Sequence, residues 1–167
     1  MGRRGKCYRM WVIGALAAIG CGGRAPYEGH STDELRIMLA ADDPAVRAQA
    51  SIGLGQLGRG AAIAVNELAT ALADPKSQVR AQAAVALGQI GPDATLAVPS
   101  LLNCLEDEDI IVRHHAAVAL GRIGPAASAA LPRLKQLRND ESQILAKAAA
   151  TAIDQIASDK ISRKIVE

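Results

Sequence analysis

His114 and His115 are the residues whose type and adjacency most readily suggest chemistry, because imidazoles bind metals and move protons near neutral pH. A di-iron centre needs around four histidines plus carboxylates from facing helices, and only His30 stands beside this pair. Adjacent helical residues also diverge by about 100°, so His114 and His115 are expected at the surface rather than on one metal. The thiols are Cys7, Cys21 and Cys104. Cys104 is expected to be a small apolar helix residue with no redox role. No phosphate-cradling loop, Ser/His/Asp arrangement or nucleophile elbow is present. No catalytic residue, metal or cofactor is therefore expected.

The elements that must position these residues repeat. Arg47, Arg80 and Arg113 stand 33 residues apart, each opening nearly the same phrase, with Val-Arg-Ala-Gln-Ala-Ala-Val-Ala-Leu-Gly-Gln-Ile-Gly at 79–91 as the middle copy. A fixed period of this size marks a repeat array rather than one compact globule. The fold expected is all-α, an α-solenoid of about four helix pairs. Aromatics are absent after Tyr27, so the core must be Ala, Leu, Val and Ile, which suits closely packed helices. The same absence excludes an aromatic platform for single-stranded nucleic acid.

The formal charge of +2 is unevenly spread. Residues 31–159 carry 11 Lys and Arg against 15 Asp and Glu, so the repeats lack the basic footprint that a nucleic acid needs. The excess positive charge lies at the start: Arg3, Arg4, Lys6 and Arg9 precede an apolar run from Met10 to Gly20 that is too short to span a bilayer as a helix. Residues 1–20 read as a signal peptide. Ala18-Ile19-Gly20-Cys21 resembles a bacterial lipobox, which makes Cys21 the lipidation site, with Ala18 where a Leu is usual. The alternatives are a plain secreted protein and an uncleaved anchor. If Cys21 carries no lipid, a Cys21–Cys104 bridge is open. Residues 21–31 are expected to be a flexible tether, 32–157 the repeat domain and 158–167 a charged C-terminal tail.

Within each unit, an outer helix (61–73, 94–106, 127–138) is expected to meet an acidic turn. An inner helix (44–57, 77–90, 110–123, 142–157) then runs to a glycine. Ser31 and Glu34 have capping-box spacing for the first helix. Gly58, Gly91 and Gly124 suit a left-handed C-cap, with Pro92 and Pro125 stopping the helix. Pro99 and Pro132 should bend the outer helices from inside. Val79, Ala83, Leu87 and Ile90 form one stripe, repeated as Val112, Ala116, Leu120 and Ile123 and again as Leu145, Ala149, Ile153 and Ile156.

The phrase Leu105-Glu-Asp107-Glu-Asp109-Ile-Ile-Val112-Arg113-His-His-Ala-Ala-Val-Ala-Leu-Gly-Arg-Ile-Gly124 resembles the HEAT repeats, in the short class named after phycobilisome lyases. The resemblance covers about residues 32–157. It implies a ladder of ion pairs between turn aspartates and inner-helix arginines, here Asp43, Asp74, Asp107 and Asp109 with Arg47, Arg80 and Arg113. It also implies that the inner helices line a concave face. Their positions outside the core are Gln49, Ile52, Gln56; Gln82, Val85, Gln89; His115, Val118, Arg122; and Thr151, Gln155. This set either docks a peptide or protein segment or only fills the groove between helices. The function expected is a non-enzymatic interaction module or scaffold, exported and membrane-tethered. The alternative is an accessory subunit or chromophore-handling protein. Fold does not fix which.

Overall fold

A computed structural model of the chain describes residues 27–166, with side chains from 27 to 158. The array opens as its capping box directs. The Glu34 amide donates to Ser31 Oγ at 3.3 Å and the Ser31 amide donates to Glu34 Oε2 at 2.8 Å, starting helix α1 (Thr32–Met38). The inner helices are α2 (Pro44–Gln56), α4 (Ser77–Ile90), α6 (Ile110–Ile123) and α8 (Gln143–Val166), and the outer ones after α1 are α3 (Val65–Ala71), α5 (Val98–Cys104) and α7 (Leu131–Leu137). The final inner helix thus runs on through 158–166, where a tail was expected. Among the described residues no helix is long and apolar enough to cross a membrane.

Two rows of leucine, each with the period of the sequence, make the core. Leu35, Leu68, Leu101 and Leu134 come from the outer helices and Leu54, Leu87 and Leu120 from the inner ones, all at most 1% exposed. Full burial of one such side chain contributes about 1.5–3 kcal/mol. The expected inner stripes are buried with them, except that Ile153 in the last repeat is only half-buried. Between the rows the inner helices touch almost backbone to backbone. A Cβ added at Gly88 would stand 3.1 Å from Ala119 Cα, and one at Gly121 would stand 2.9 Å from Ala152 Cα. Asp154, which takes the glycine's place in the last repeat, is exposed.

Two local expectations are corrected. Gly91 and Gly124 have positive φ (73° and 79°), but ψ is −133° and −143°. That is the mirror image of extended backbone rather than left-handed helix. Pro92 and Pro125 explain it, since a proline ring disfavours helical geometry in the residue before it. The outer helices are also shorter than expected. Gly58–Ala64, Gly91–Ala97 and Gly124–Ala130 are 3-10 connectors, and Pro99 and Pro132 lie in the first turn of α5 and α7. At that position a proline lacks only an N–H that would have no partner anyway, so it starts the helix instead of bending it.

Tyr27, inside the stretch expected to be tether, is part of the packed domain. Tyr27 packs against the core over Gly53, where an added Cβ would come within 2.8 Å of Tyr27 Cβ. In later repeats the equivalent side of the inner helix carries Ala86, Ala119 and Ala152 packed on the previous helix, so Tyr27 closes the first end of the stack.

Candidate functional site

The stripe of the inner helices that reaches solvent runs through four rungs. On α4 these are Gln78 and Gln89, exposed at the ends, with Gln82 and Val85 half-buried between them; the rest of that helix is buried apart from Ser77 at its start. Ile52, Val85 and Val118 form an aligned half-buried apolar row, and Val118 packs onto the core. Gln49, Gln82 and His115 form a second half-buried row. The next row, Gln56, Gln89, Arg122 and Gln155, is exposed but lies across the junctions. Gln56 Nε2 donates to Tyr27 Oη at 2.8 Å, Arg122 Cδ covers Gly88, and the amide oxygens of Gln89 and Gln155 cover Gly55 and Gly121. Thr151 is exposed, and its hydroxyl donates to the Lys147 carbonyl of its own helix at 3.0 Å.

The fourth row escaped the sequence reading. Ala45, Gln78, Ile111 and Ile144 continue the stripe one turn earlier, and Ile111 and Ile144 are 55% and 69% exposed. Large aliphatics so exposed on consecutive inner helices are the stripe's main apolar contact area. The signal was present in the spacing, four residues before Gln82 and His115, but the isoleucine is shared by only the third and fourth copies and so fell outside the repeat signature.

His114 and His115 are half-buried, and their rings meet edge to face with centroids 5.0 Å apart and planes at 73°. Both still reach solvent, and imidazoles are wide enough for adjacent side chains to touch. Burial, then the charges of His114 and Arg122, hold His115 below the ordinary histidine pKa. Among the described residues no group of His, Cys, Asp or Glu has a metal-binding arrangement. Cys104 is 5% exposed, its thiol lies 3.7 Å from the Leu72 carbonyl, and burial pushes its pKa up to about 11. It remains a thiol and a poor nucleophile at neutral pH.

Two of the arginines grip the next turn. Arg47 Nε and Nη2 reach Asp74 at 2.6 and 3.0 Å, and Arg80 Nε and Nη2 reach Asp107 at 2.7 and 2.8 Å. Each also donates to the turn before its own helix, Arg47 to Ala41 O and Arg80 to Asp74 O. Burial raises the pKa of both aspartates, but the arginine and an amide hydrogen bond outweigh it, and both carboxyls sit below the usual range. The same contacts raise Arg47 and Arg80. Asp43 and Asp109 are not rungs of this ladder. They cap α2 and α6, accepting from the Ala45 and Ile111 amides at 2.8 Å, because an aspartate just before a helix meets its unpaired N–H groups first. Arg113 donates only to the carbonyls of Asp107 and Glu108, and Asp140, one period beyond Asp107, keeps the amide bond, here from Ser142, that Asp74 and Asp107 also accept, but has no arginine.

Two shallow hollows of about 390 and 510 Å³ lie between outer helices, lined by Arg36, Glu67 and Thr70 and by Asn103, Cys104 and Glu108 among others. Neither reaches the inner stripe. Cys21 lies outside the described residues.

A family model for HEAT repeats matches residues 32–98 and 65–154. The chain belongs to the HEAT-repeat family. No curated protein matches it in sequence. Among solved structures, this HEAT array is similar to an engineered protein, 26% identical with a TM-score of 0.66, over 77% of this chain and 63% of that one. A designed armadillo repeat protein in complex with the peptide (KR)4 is 18% identical with a TM-score of 0.65, covering 73% and 62% of the two chains. The complex of CpcE and CpcF of phycocyanin lyase from Nostoc is 23% identical with a TM-score of 0.58, over 81% and 68%. The array therefore spans a little under two thirds of the engineered and designed chains.

Proposed function

We propose that this HEAT array is a non-enzymatic interaction module, exported and held at a membrane by a lipid on Cys21, which docks a peptide or protein segment on the solvent-facing stripe of its inner helices. The observation that carries the reading is the exposure of Ile111 and Ile144 on consecutive inner helices, with the half-buried row Ile52, Val85 and Val118 on the far side of the Gln49, Gln82 and His115 row. Apolar side chains standing on a rigid scaffold, with amide groups alongside, suit an extended segment that hydrogen-bonds while burying its own side chains. The working area is then weighted toward the third and fourth repeats. Gln56 belongs to the end closure with Tyr27, and Gln89, Arg122 and Gln155 frame the stripe. The designed armadillo relative, which holds a peptide, supports the kind of partner. The buried, high-pKa thiol of Cys104 is a poor nucleophile, which supports a role without catalysis.

Crosslinking and mass spectrometry of the full-length protein in its own cells tests this. Ile111→Glu with Ile144→Glu is expected to remove the partner crosslinks, whereas Ile37→Glu, at an equally exposed site on α1, keeps them. Unchanged crosslinks in the double variant, with its circular dichroism intact, sink the docking site. Cys21→Ser is expected to move the protein from the membrane to the soluble fraction. The likeness to the phycocyanin lyase complex supports a second reading, chromophore handling, and an absorbing cofactor carried by the purified protein would favour it.

A further inference from the structure

We propose that the connector edge of the array rests on a lipid surface, which turns the acidic edge of the array toward the aqueous side. The inference builds on the lipid anchor at Cys21 proposed above.

The three 3-10 connectors pack side by side along one edge. Ile63 and Leu96 occupy equivalent places on the first two and are 61% and 72% exposed; Ala129 takes the third place, and Leu57 beside them is 44% exposed. The charged residues on the connectors are Arg59 and Asp93, and they face each other, with Arg59 Nε 2.8 Å from Asp93 Oδ2. The three connectors thus expose aliphatic side chains and carry no net charge of their own. The opposite edge holds the turns between outer and inner helices, with Asp42, Asp43, Asp74, Glu106, Glu108 and Glu141 among its acids. Anionic lipid attracts neither edge electrostatically, but it repels only the second.

The chain enters at the connector side. Residues 27–31 stand one period before 60–64, and the Tyr27 hydroxyl takes its hydrogen bond from Gln56, the last residue of α2 before the first connector. Cys21 is six residues upstream, which puts a lipid there no more than about 20 Å from Tyr27 even in a fully extended chain. Arg24, between them in sequence, favours anionic headgroups. Aliphatic contact from the body adds to the lipid anchor and orients the array on the surface.

The test attaches full-length protein through the Cys21 thiol to a maleimide lipid in vesicles of phosphatidylethanolamine and phosphatidylglycerol, in a Cys7→Ser, Trp11→Phe background. Cys104 is buried and does not compete. Separate Leu96→Trp, Ile63→Trp and Glu141→Trp variants report depth through quenching by brominated lipid. The expected result is at least about threefold more quenching at positions 96 and 63 than at 141, as for side chains seated at the headgroup boundary. Equal quenching at the two edges, greater quenching at 141, or none at any position overturns the proposal. Because this attachment is chemical, its outcome is separate from the anchor itself, which acyl labelling of wild type and Cys21→Ser in cells decides.

Discussion

The two edges of this HEAT array arise from one 33-residue period, yet different forces hold them. On the turn edge side chains make the joints, with Arg47 and Arg80 each gripping an aspartate of the next repeat through two nitrogens. The Arg80 and Asp107 side chains are only 11% and 10% exposed, so the pair is strong and intolerant of losing one member. On the connector edge the backbone makes the joints. Glycines in conformations closed to other residues let the connectors pack flat, and the Arg59–Asp93 pair is a surface pair, with Arg59 78% exposed. Charge sets the spacing of one edge, and backbone geometry sets that of the other.

The sharpest way to break this contrast is to remove a carboxylate from the turn edge. Asp107→Ala leaves the Arg80 guanidinium without its anion and should cost about 2–3 kcal/mol, read as a lower urea midpoint. Next comes the backbone of the connector edge. Gly91→Ala forces a side chain into a positive-φ region and should cost about 1–2 kcal/mol, with secondary structure unchanged by circular dichroism. Arg113→Ala should cost less, about 1 kcal/mol or under, because Arg113 reaches only carbonyls. A loss as large as that of Arg80→Ala would mean that the third junction closes on Asp140 in solution. The smallest effect belongs to Asp93→Ala, which should leave the midpoint unmoved, since exposed pairs contribute little.

Acid should separate the edges in the same order. Asp74 and Asp107 have folded-state pKa values below the ordinary value, so the stability they contribute is present above the unfolded pKa near 4 and is lost as pH falls through the lower folded value. Urea midpoints measured downward from pH 6 should therefore decline in the wild type. They should decline less in Asp74→Asn with Asp107→Asn, which starts lower. An equal decline in the double variant would place the acid-sensitive groups elsewhere.

Much of this was legible in the sequence. The capping box at Ser31 and Glu34, the inner-helix stripes and the first three inner-helix spans all follow from contacts within one or two helical turns, and those leave a local signature. The resemblance to HEAT repeats implied ion pairs between turn aspartates and these arginines, though not which aspartate each arginine takes. Pro99 and Pro132 were misread because a proline in the first turn and one in the interior look alike until the preceding 3-10 segment is seen. Ile111 and Ile144 were missed because their exposure depends on neighbouring helices, whereas the repeat motif records only what each copy shares.

By itself, then, the sequence determined the period, the helix pairs, the aliphatic core and the caps, since each depends on residues close together along the chain. The tertiary structure alone decided which of three equivalent arginines finds a carboxylate, since a bond across two repeats depends on the stacking distance and on the turn that carries the acid. It also decided that residues 33 positions apart gather into one aliphatic edge and one acidic edge. Only stacking turns a sequence period into a surface.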